Sequence, residues 1–265
     1  MMIDVLGIPS HYERYGSTGE EVLLLHGWGV TLDACLAPLA KALQGDCRVT
    51  ALEFPAHGAS GRPAQTWGVP EFAAWVKAVT QALRLSSQTV VAHSFGGRVA
   101  IYLAAQYPPL VSRLVLTGAA GLIAPKSAAQ EAELQRYQRQ KQRLETLKAL
   151  PLVGRYARVV QERLRDKRSS SDYKALDEEM KKTFVRIITQ DLRPMLKGIR
   201  QPTLLIWGDR DEETPLWMGK TMAEEIKDAA LIIFEGRGHF AYLEEIARFA
   251  RIVQAFITED SKLSV

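Results

Sequence analysis

The chain has 265 residues, of which 47% are hydrophobic and 24% are charged, and its formal net charge is +4. This composition is typical of a folded protein with a substantial apolar core, and it excludes a disordered or fibrous chain. No apolar run approaches the roughly 18 residues that a membrane span needs, and the first residues show no secretory signal pattern. The sequence therefore predicts a cytoplasmic protein, built as one large domain with an insertion and without a membrane span.

The two cysteines are Cys35 and Cys47. They are too few for a disulfide framework or a cysteine metal cluster, so we expect both to be buried and reduced. His, Cys and acidic residues are not clustered in the sequence at metal-ligand spacing. We therefore predict neither a metal site nor a cofactor.

The basic charge is concentrated in one segment. Residues 126–200 carry 19 basic and 10 acidic side chains, whereas the rest of the chain carries 15 and 20. A basic segment can bind nucleic acid, but acidic residues are mixed into this one and no nucleic-acid-binding motif accompanies it. We predict a small-molecule substrate and no nucleic-acid partner, and the sequence leaves the oligomeric state open.

Short apolar runs bounded by turn residues recur along the chain with room for a helix between them. They are Val22–Leu25, Val49–Leu52, Thr89–Ala92, Leu114–Thr117, Thr203–Trp207 and Leu231–Phe234. Amphipathic helical patterns cover Pro70–Leu85 and Phe95–Tyr107. The short apolar runs are typical of parallel strands buried on both faces. Ile3–Val5 and His11–Tyr15 predict an antiparallel pair at one sheet edge, joined near Gly7 and Pro9.

The alternation of strands and helices breaks over residues 121–198. Gln, Arg, Lys and Leu recur there at helical spacing, and the segment has no strand-like run. We predict an inserted cap of three or four amphipathic helices, with Asp172 as the N-cap of the last one. The core of the protein would then consist of residues 1–120 and 199–265.

A serine stands at the junction between the third apolar run and the following helix, in the sequence Ala92-His93-Ser94-Phe95-Gly96-Gly97. On a sharp strand-to-helix turn the serine hydroxyl is lifted clear of the backbone, and small neighbours let the strand and helix approach closely. The helix N-terminus also directs free N–H groups at an oxyanion formed there. This turn resembles the nucleophile elbow of the α/β-hydrolase family, with alanine where the first glycine is usual.

A serine hydroxyl needs a base and an orienting carboxylate, because alone it is a weak nucleophile at neutral pH. The loop after the fifth apolar run resembles the acid loop of the family, and the matching residue is Asp211, with Asp209 as the nearest rival. His239, after the last run, matches the family's histidine loop. The order Ser94, Asp211, His239 is that of the family. The resemblance therefore implies a catalytic triad of these three residues.

The glycine-rich loop after the first apolar run resembles the oxyanion loop of the family. The resemblance implies that the backbone N–H of Trp28 joins that of Phe95 in an oxyanion hole. We interpret His26 as a residue that holds this loop by hydrogen bonds, and His57 as structural or solvent-facing. We expect no catalytic role for His93, which the turn fixes beside the serine.

The motifs imply an α/β-hydrolase fold, which is a mostly parallel sheet covered by helices on both faces, with an inserted helical cap. In the family the cap covers the site, excludes water and supplies selectivity. We predict that an apolar stripe of the cap lines the substrate pocket, with Tyr137, Leu144, Met180 and Phe184. The charged faces of the cap would then point to solvent.

A triad on this fold serves several reactions, so the substrate stays open. The leading hypothesis is a serine esterase that cleaves a small carboxylic ester through an acyl-enzyme. The second is a carbon–carbon bond hydrolase or a lyase acting on an acidic substrate. Its basis is Arg98, because the run Ser94–Arg98 looks like that of the family's menaquinone-pathway lyases, where this arginine helps bind substrate. The structural alternative is an ion pair between Arg98 and a neighbouring loop. A third hypothesis, an inactive binding protein, is disfavoured because the triad is complete.

Overall fold

The computed structural model describes residues 1–125, 132, 135–140, 142–143 and 176–258. The described strands are β1 (Met2–Val5), β2 (Ile8–Tyr15), β3 (Glu20–Leu25), β4 (Cys47–Leu52), β5 (Gln88–His93), β6 (Val111–Thr117), β7 (Thr203–Gly208) and β8 (Ala229–Phe234). The described helices with assigned bounds are α1 (Leu32–Leu43), α2 (Val69–Ala82), α3 (Phe95–Gln106), α4 (Glu178–Ile188), α5 (Arg193–Leu196), α6 (Trp217–Glu225), α7 (Ala241–Glu244) and α8 (Ile246–Thr258).

The strands form one sheet in the order β1-β2-β4-β3-β5-β6-β7-β8. The pairs from β4 to β8 are parallel, and β2 is antiparallel to both β1 and β4. Each predicted apolar run lies inside one of the parallel strands, so this expectation is confirmed. The predicted N-terminal hairpin is also present, but Pro9 lies within β2, opposite Asp4, rather than in the turn.

Both faces of the sheet are covered by apolar side chains, and neighbouring residues of a strand face opposite sides. In β3, Leu23 and Leu25 belong to one core cluster, while Val22 and Leu24 belong to the other. The first cluster includes residues of α2, α3 and α6, and the second includes residues of α1 and α8. This double burial explains why the strands read as continuous apolar runs. Both cysteines are buried, as predicted.

The chain divides into two compact units. The first unit comprises Met1–Leu122 and Val185–Val265, and the second comprises Ile123–Phe184. Residues 185–198, which we expected in the inserted cap, belong to the first unit in this division. Helix α4 therefore begins in the second unit and ends in the first.

Helix α4 begins at Glu178, where Asp177 Oδ1 accepts a hydrogen bond of 2.8 Å from the N–H of Met180. This is the geometry of a helix N-cap. The predicted N-cap, Asp172, lies outside the described residues. Among the described helices, none combines the length and the apolar character that crossing a bilayer requires.

Candidate active site

Ser94 lies between the end of β5 and the start of α3, with φ +52° and ψ −113°. A residue other than glycine at positive φ costs on the order of 1–3 kcal/mol, and such strain is concentrated at functional sites. The flanking residues His93 and Phe95 are buried, whereas Ser94 is half-buried. The backbone of the turn therefore turns this hydroxyl-bearing residue out of the core.

The close approach of α3 to β3 explains the glycine two positions after the serine. A Cβ atom on Gly96 would lie 2.5 Å from the main-chain oxygen of Leu25, which no real side chain tolerates. The N–H of Gly96 donates a hydrogen bond of 3.0 Å to the main-chain oxygen of His26. Phe95 is the first residue of α3, so its N–H has no acceptor within the helix. Phe95 therefore presents an N–H group next to Ser94.

The side chains of Asp211 and His239 are directly hydrogen-bonded. His239 Nδ1 lies 2.9 Å from Oδ2 and 3.1 Å from Oδ1 of Asp211. The Asp211 side chain is fully buried and that of His239 is 14% exposed. Asp209 is exposed and accepts a hydrogen bond from the N–H of Gly236 instead. The geometry thus brings Asp211, and not its rival, against the histidine.

Backbone donors also surround the Asp211 carboxylate. The N–H groups of Glu213 and Thr214 donate to Oδ1 over 3.0 and 2.9 Å. Burial alone would raise the pKa of Asp211, but the hydrogen bonds from His239 and Thr214 lower it below the ordinary value. Asp211 is therefore a charged acceptor at neutral pH, which fixes the proton of His239 on Nδ1 and leaves Nε2 as the basic nitrogen.

Two residues that the sequence reasoning did not single out touch this pair. Gly118 follows β6 with φ +48°, and a Cβ on it would lie 3.0 Å from Oδ2 of Asp211 and 3.2 Å from Nδ1 of His239. Thr214 Oγ1 lies 2.8 Å from Oδ2 of Asp211. A glycine directly after a buried strand was the available signal for Gly118. Thr214 lay inside the recognised acid loop, but its contacts depend on tertiary structure.

Two buried histidines hold the loop that contains Trp28. His26 Nε2 accepts from the N–H of Phe54 over 2.9 Å, so its Nδ1 carries the proton and donates to the Gly27 carbonyl. His57 Nε2 accepts from the N–H of Gly29 over 3.1 Å. Burial lowers the pKa of both, that of His26 to about 3. These neutral rings fix the loop through hydrogen bonds.

The Trp28 ring packs edge-on against the rings of His57 and Phe95, with centroid distances of 4.9 and 5.4 Å. This packing brings the loop after β3 and the start of α3 together. Trp28 and Phe95 are the residues whose N–H groups were predicted to form the oxyanion hole.

His93 packs against the histidine of the pair. The two rings have a centroid distance of 4.6 Å, and His93 Nε2 donates to the main-chain oxygen of His239 over 3.0 Å. Burial and the neighbouring His239 lower the pKa of His93 to about 3, so the ring is neutral. His93 therefore supports the loop that carries His239.

Arg98 is buried in α3, with 7% of its surface exposed. Its Nη1 donates to the main-chain oxygen of Gln190 over 2.9 Å. Burial lowers the pKa of Arg98 to about 10, and the nearby Asp191 acts in the opposite direction. The guanidinium thus binds the segment after α4. This contact gives Arg98 a structural role, as the alternative to substrate binding predicted, with a main-chain carbonyl as the hydrogen-bond acceptor.

Three of the four predicted pocket residues of the cap are described, and they belong to the second unit. Tyr137 lies in a helical stretch over 135–140 and is half-buried, Met180 of α4 is buried and Phe184 is half-buried. Leu144 lies outside the described residues. Their place in a substrate pocket stays a prediction. In the part of the chain that the structure describes, no three His, Cys, Asp or Glu side chains are grouped to hold a metal ion.

Comparison with known proteins decides the family. The family model described as "alpha/beta hydrolase fold" matches residues 21–246. The chain belongs to this α/β-hydrolase family. Among solved structures, the enol-lactonase from Burkholderia xenovorans LB400 has a TM-score of 0.73 at 23% identity, over 97% of this α/β-hydrolase and 100% of that chain. That likeness supports the fold.

Sequence relatives of this α/β-hydrolase include named enzymes. It is 31% identical over 229 residues to the 2-hydroxymuconate semialdehyde hydrolase of Pseudomonas putida, covering 82% of this chain and 79% of that protein. It is 27% identical over 253 residues to the pimeloyl-(acyl-carrier protein) methyl ester esterase of Neisseria meningitidis, covering 90% and 93%. This α/β-hydrolase is therefore an enzyme of the hydrolase type.

Proposed function

We propose that the protein is a serine esterase that cleaves a small carboxylic ester through an acyl-enzyme. The observation that carries this proposal is the hydrogen-bonded pair of Asp211 and His239 on the loops after β7 and β8, together with the strained serine after β5. These strands are neighbours or near neighbours in the parallel sheet, and their carboxyl ends meet at one edge. The relative named as a methyl ester esterase supports the same chemistry.

In the proposed mechanism, Ser94 Oγ attacks the ester carbonyl carbon while His239 Nε2 takes the hydroxyl proton. Asp211 holds the Nδ1–H tautomer and stabilises the imidazolium that forms. The backbone N–H groups of Trp28 and Phe95 would donate to the oxyanion. Collapse of the tetrahedral intermediate breaks the ester C–O bond, and the leaving alcohol takes the proton from His239. Water, activated by the same ring, then releases the acid.

A fluorophosphonate probe combined with Ser94→Ala tests this proposal. The probe should label the native protein at Ser94, and the variant should lose labelling and at least ~10³-fold in turnover of a p-nitrophenyl ester. Ser87→Ala, at an exposed serine before β5, is the control and should keep both. Full turnover by Ser94→Ala would refute the nucleophile assignment.

A second candidate is hydrolysis of a carbon–carbon bond, or lyase chemistry, on an acidic substrate with the same triad. It is favoured by the relative named as a 2-hydroxymuconate semialdehyde hydrolase. The contact of Arg98 with Gln190 supports a structural role for this arginine, which weakens the argument for an acidic substrate. We therefore rank this candidate second.

A substrate comparison separates the two candidates. We expect p-nitrophenyl butyrate to have a higher specificity constant than mono-p-nitrophenyl succinate at both low and 1 M salt. A preference for the anionic ester that shrinks at 1 M salt, where the Debye length is about 3 Å, would instead indicate electrostatic recognition. Turnover of 2-hydroxymuconate semialdehyde exceeding that of the neutral ester would favour the second candidate.

A further inference from the structure

Thr214 is buried beside the Asp211–His239 pair, and the mechanism above makes no use of its hydroxyl. Its Oγ1 lies 2.8 Å from Oδ2 of Asp211, 3.2 Å from Nδ1 of His239 and 2.9 Å from the main-chain oxygen of Gly118. Thr214 is 3% exposed, so bulk water does not compete for these contacts. A single hydroxyl group therefore faces both members of the pair.

This hydroxyl has one hydrogen and two competing acceptors. The Gly118 carbonyl is neutral, whereas the Asp211 carboxylate is charged, and a hydrogen bond to a charged acceptor is the stronger one. In the resting site Thr214 therefore donates to Oδ2 of Asp211. The Nδ1–H of His239 uses the same oxygen, at 2.9 Å.

The main chain of Thr214 is anchored independently of this hydroxyl. Its N–H donates to Oδ1 of Asp211 over 2.9 Å, and its carbonyl accepts from Nε1 of Trp207 over 2.7 Å. Replacing the hydroxyl by a methyl group therefore leaves the acid loop its backbone hydrogen bonds. The hydroxyl affects the charge on the carboxylate rather than the course of the loop.

We propose that Thr214 is a positioning residue whose hydroxyl shares Asp211 with His239 and so limits how strongly Asp211 stabilises the imidazolium. This inference rests on the proposed function. Donation by Thr214 draws negative charge from Oδ2, so Asp211 attracts a positive charge on the ring less strongly. When His239 takes the serine proton, the hydroxyl can turn to the Gly118 carbonyl only by exchanging its hydrogen bond to the charged carboxylate for a weaker one. Formation of the imidazolium therefore carries the cost of this exchange.

The pH dependence of kcat/KM reports this effect. In the described chain, the titratable side chains in contact with the His239 ring are Asp211 and His93, and His93 is neutral because its pKa is lowered to about 3. A change in the acidic limb of the profile therefore reflects the interaction of His239 with Asp211. Because acidification also destabilises the fold, the profiles are compared only over the pH range in which circular dichroism shows each variant to be folded.

The test compares Thr214→Val and Thr214→Ala with Thr214→Ser, each measured per active site counted with the fluorophosphonate probe. Both hydroxyl-free variants should move the acidic half-maximum of kcat/KM upward by about 0.3 pH or more, because the charge of Asp211 Oδ2 is then no longer shared with the hydroxyl. Their kcat should not fall below the native value and KM should change little, because Asp211 without this donor stabilises the imidazolium more strongly. Thr214→Ser should retain the native profile.

Thr203→Val is the matched control. Thr203 is also buried, and its hydroxyl bonds to a main-chain carbonyl at the opposite end of β7. It should leave the profile unchanged. An acidic limb that stays in place or moves to lower pH in the hydroxyl-free variants would overturn the inference, as would an equal shift in Thr214→Ser or Thr203→Val. Failure of the proposed function shows separately, as absent labelling of the native protein.

Discussion

Oδ1 of Asp209 accepts a hydrogen bond of 2.6 Å from the N–H of Gly236, which follows β8. Two residues later, Asp211 bonds to His239. We expect Asp211→Asn to lower kcat by at least ~10²-fold, because an amide in place of the carboxylate no longer stabilises the imidazolium. Asp209→Asn should stay within about five-fold of native. Steady-state kinetics on both variants decide between them, and the reverse ranking would refute the choice of acid.

Gly118 offers a steric test of the contact between Asp211 and His239. A methyl group there would lie 3.0 Å from Asp211 Oδ2, so Gly118→Ala should displace the carboxylate and lower kcat by roughly 10–100-fold. Gly236→Ala is the control, because Gly236 also has positive φ but open space around its Cα. It should share the backbone strain and keep near-native kcat. Equal losses in the two variants would assign the effect to strain alone.

Stability should fall with acidification because of two buried histidines. The pKa of His26 and of His93 is lowered from 6.5 to about 3. The unfolded chain therefore binds more protons between these values, so the stabilisation is complete above pH 6.5 and is lost as the pH falls towards 3. At pH 5 each of these two histidines lowers the free energy of unfolding by on the order of 2 kcal/mol.

Urea unfolding at several pH values measures this loss. His26→Asn removes one of the titrating groups, so its free energy of unfolding should fall less steeply between pH 7.5 and 5 than that of the native protein, whatever its absolute value. Parallel slopes for the two proteins would contradict the assignment of this effect to His26.

Ala56 has φ +66°, in the left-handed region that disfavours a side chain. Ala56→Gly should therefore raise the free energy of unfolding by about 0.5–1 kcal/mol, after the greater freedom of glycine in the unfolded chain is included. Ala59→Gly, in the same loop without positive φ, should lower it by a similar amount. Thermal or urea unfolding of the pair gives the comparison, and destabilisation by both would show that the loop tolerates the alanine without strain.

The strands were predictable from the sequence because burial on both sheet faces leaves a local trace, a continuous apolar run. The elbow at Ser94 was predictable for a similar reason, since the small residues around it are sequence neighbours. The role of Gly118 was not, because its close approach to His239 joins residues more than a hundred positions apart. The role of Thr214 was not predictable either, because threonine is compatible with any buried loop. Only the contacts of its hydroxyl with Asp211, His239 and Gly118 distinguish it.

The strand order also has a consequence for how the protein is made on the ribosome. Strands β1 to β6 are contiguous in the sheet and precede β7 and β8 in the chain, which add outward at one edge. Since chains are synthesised from the N-terminus, the serine turn can assemble while the segment carrying Asp211 and His239 is still being translated. In the proposed mechanism, a nascent chain would thus hold Ser94 without His239, and hydrolysis would begin only after the last two strands dock.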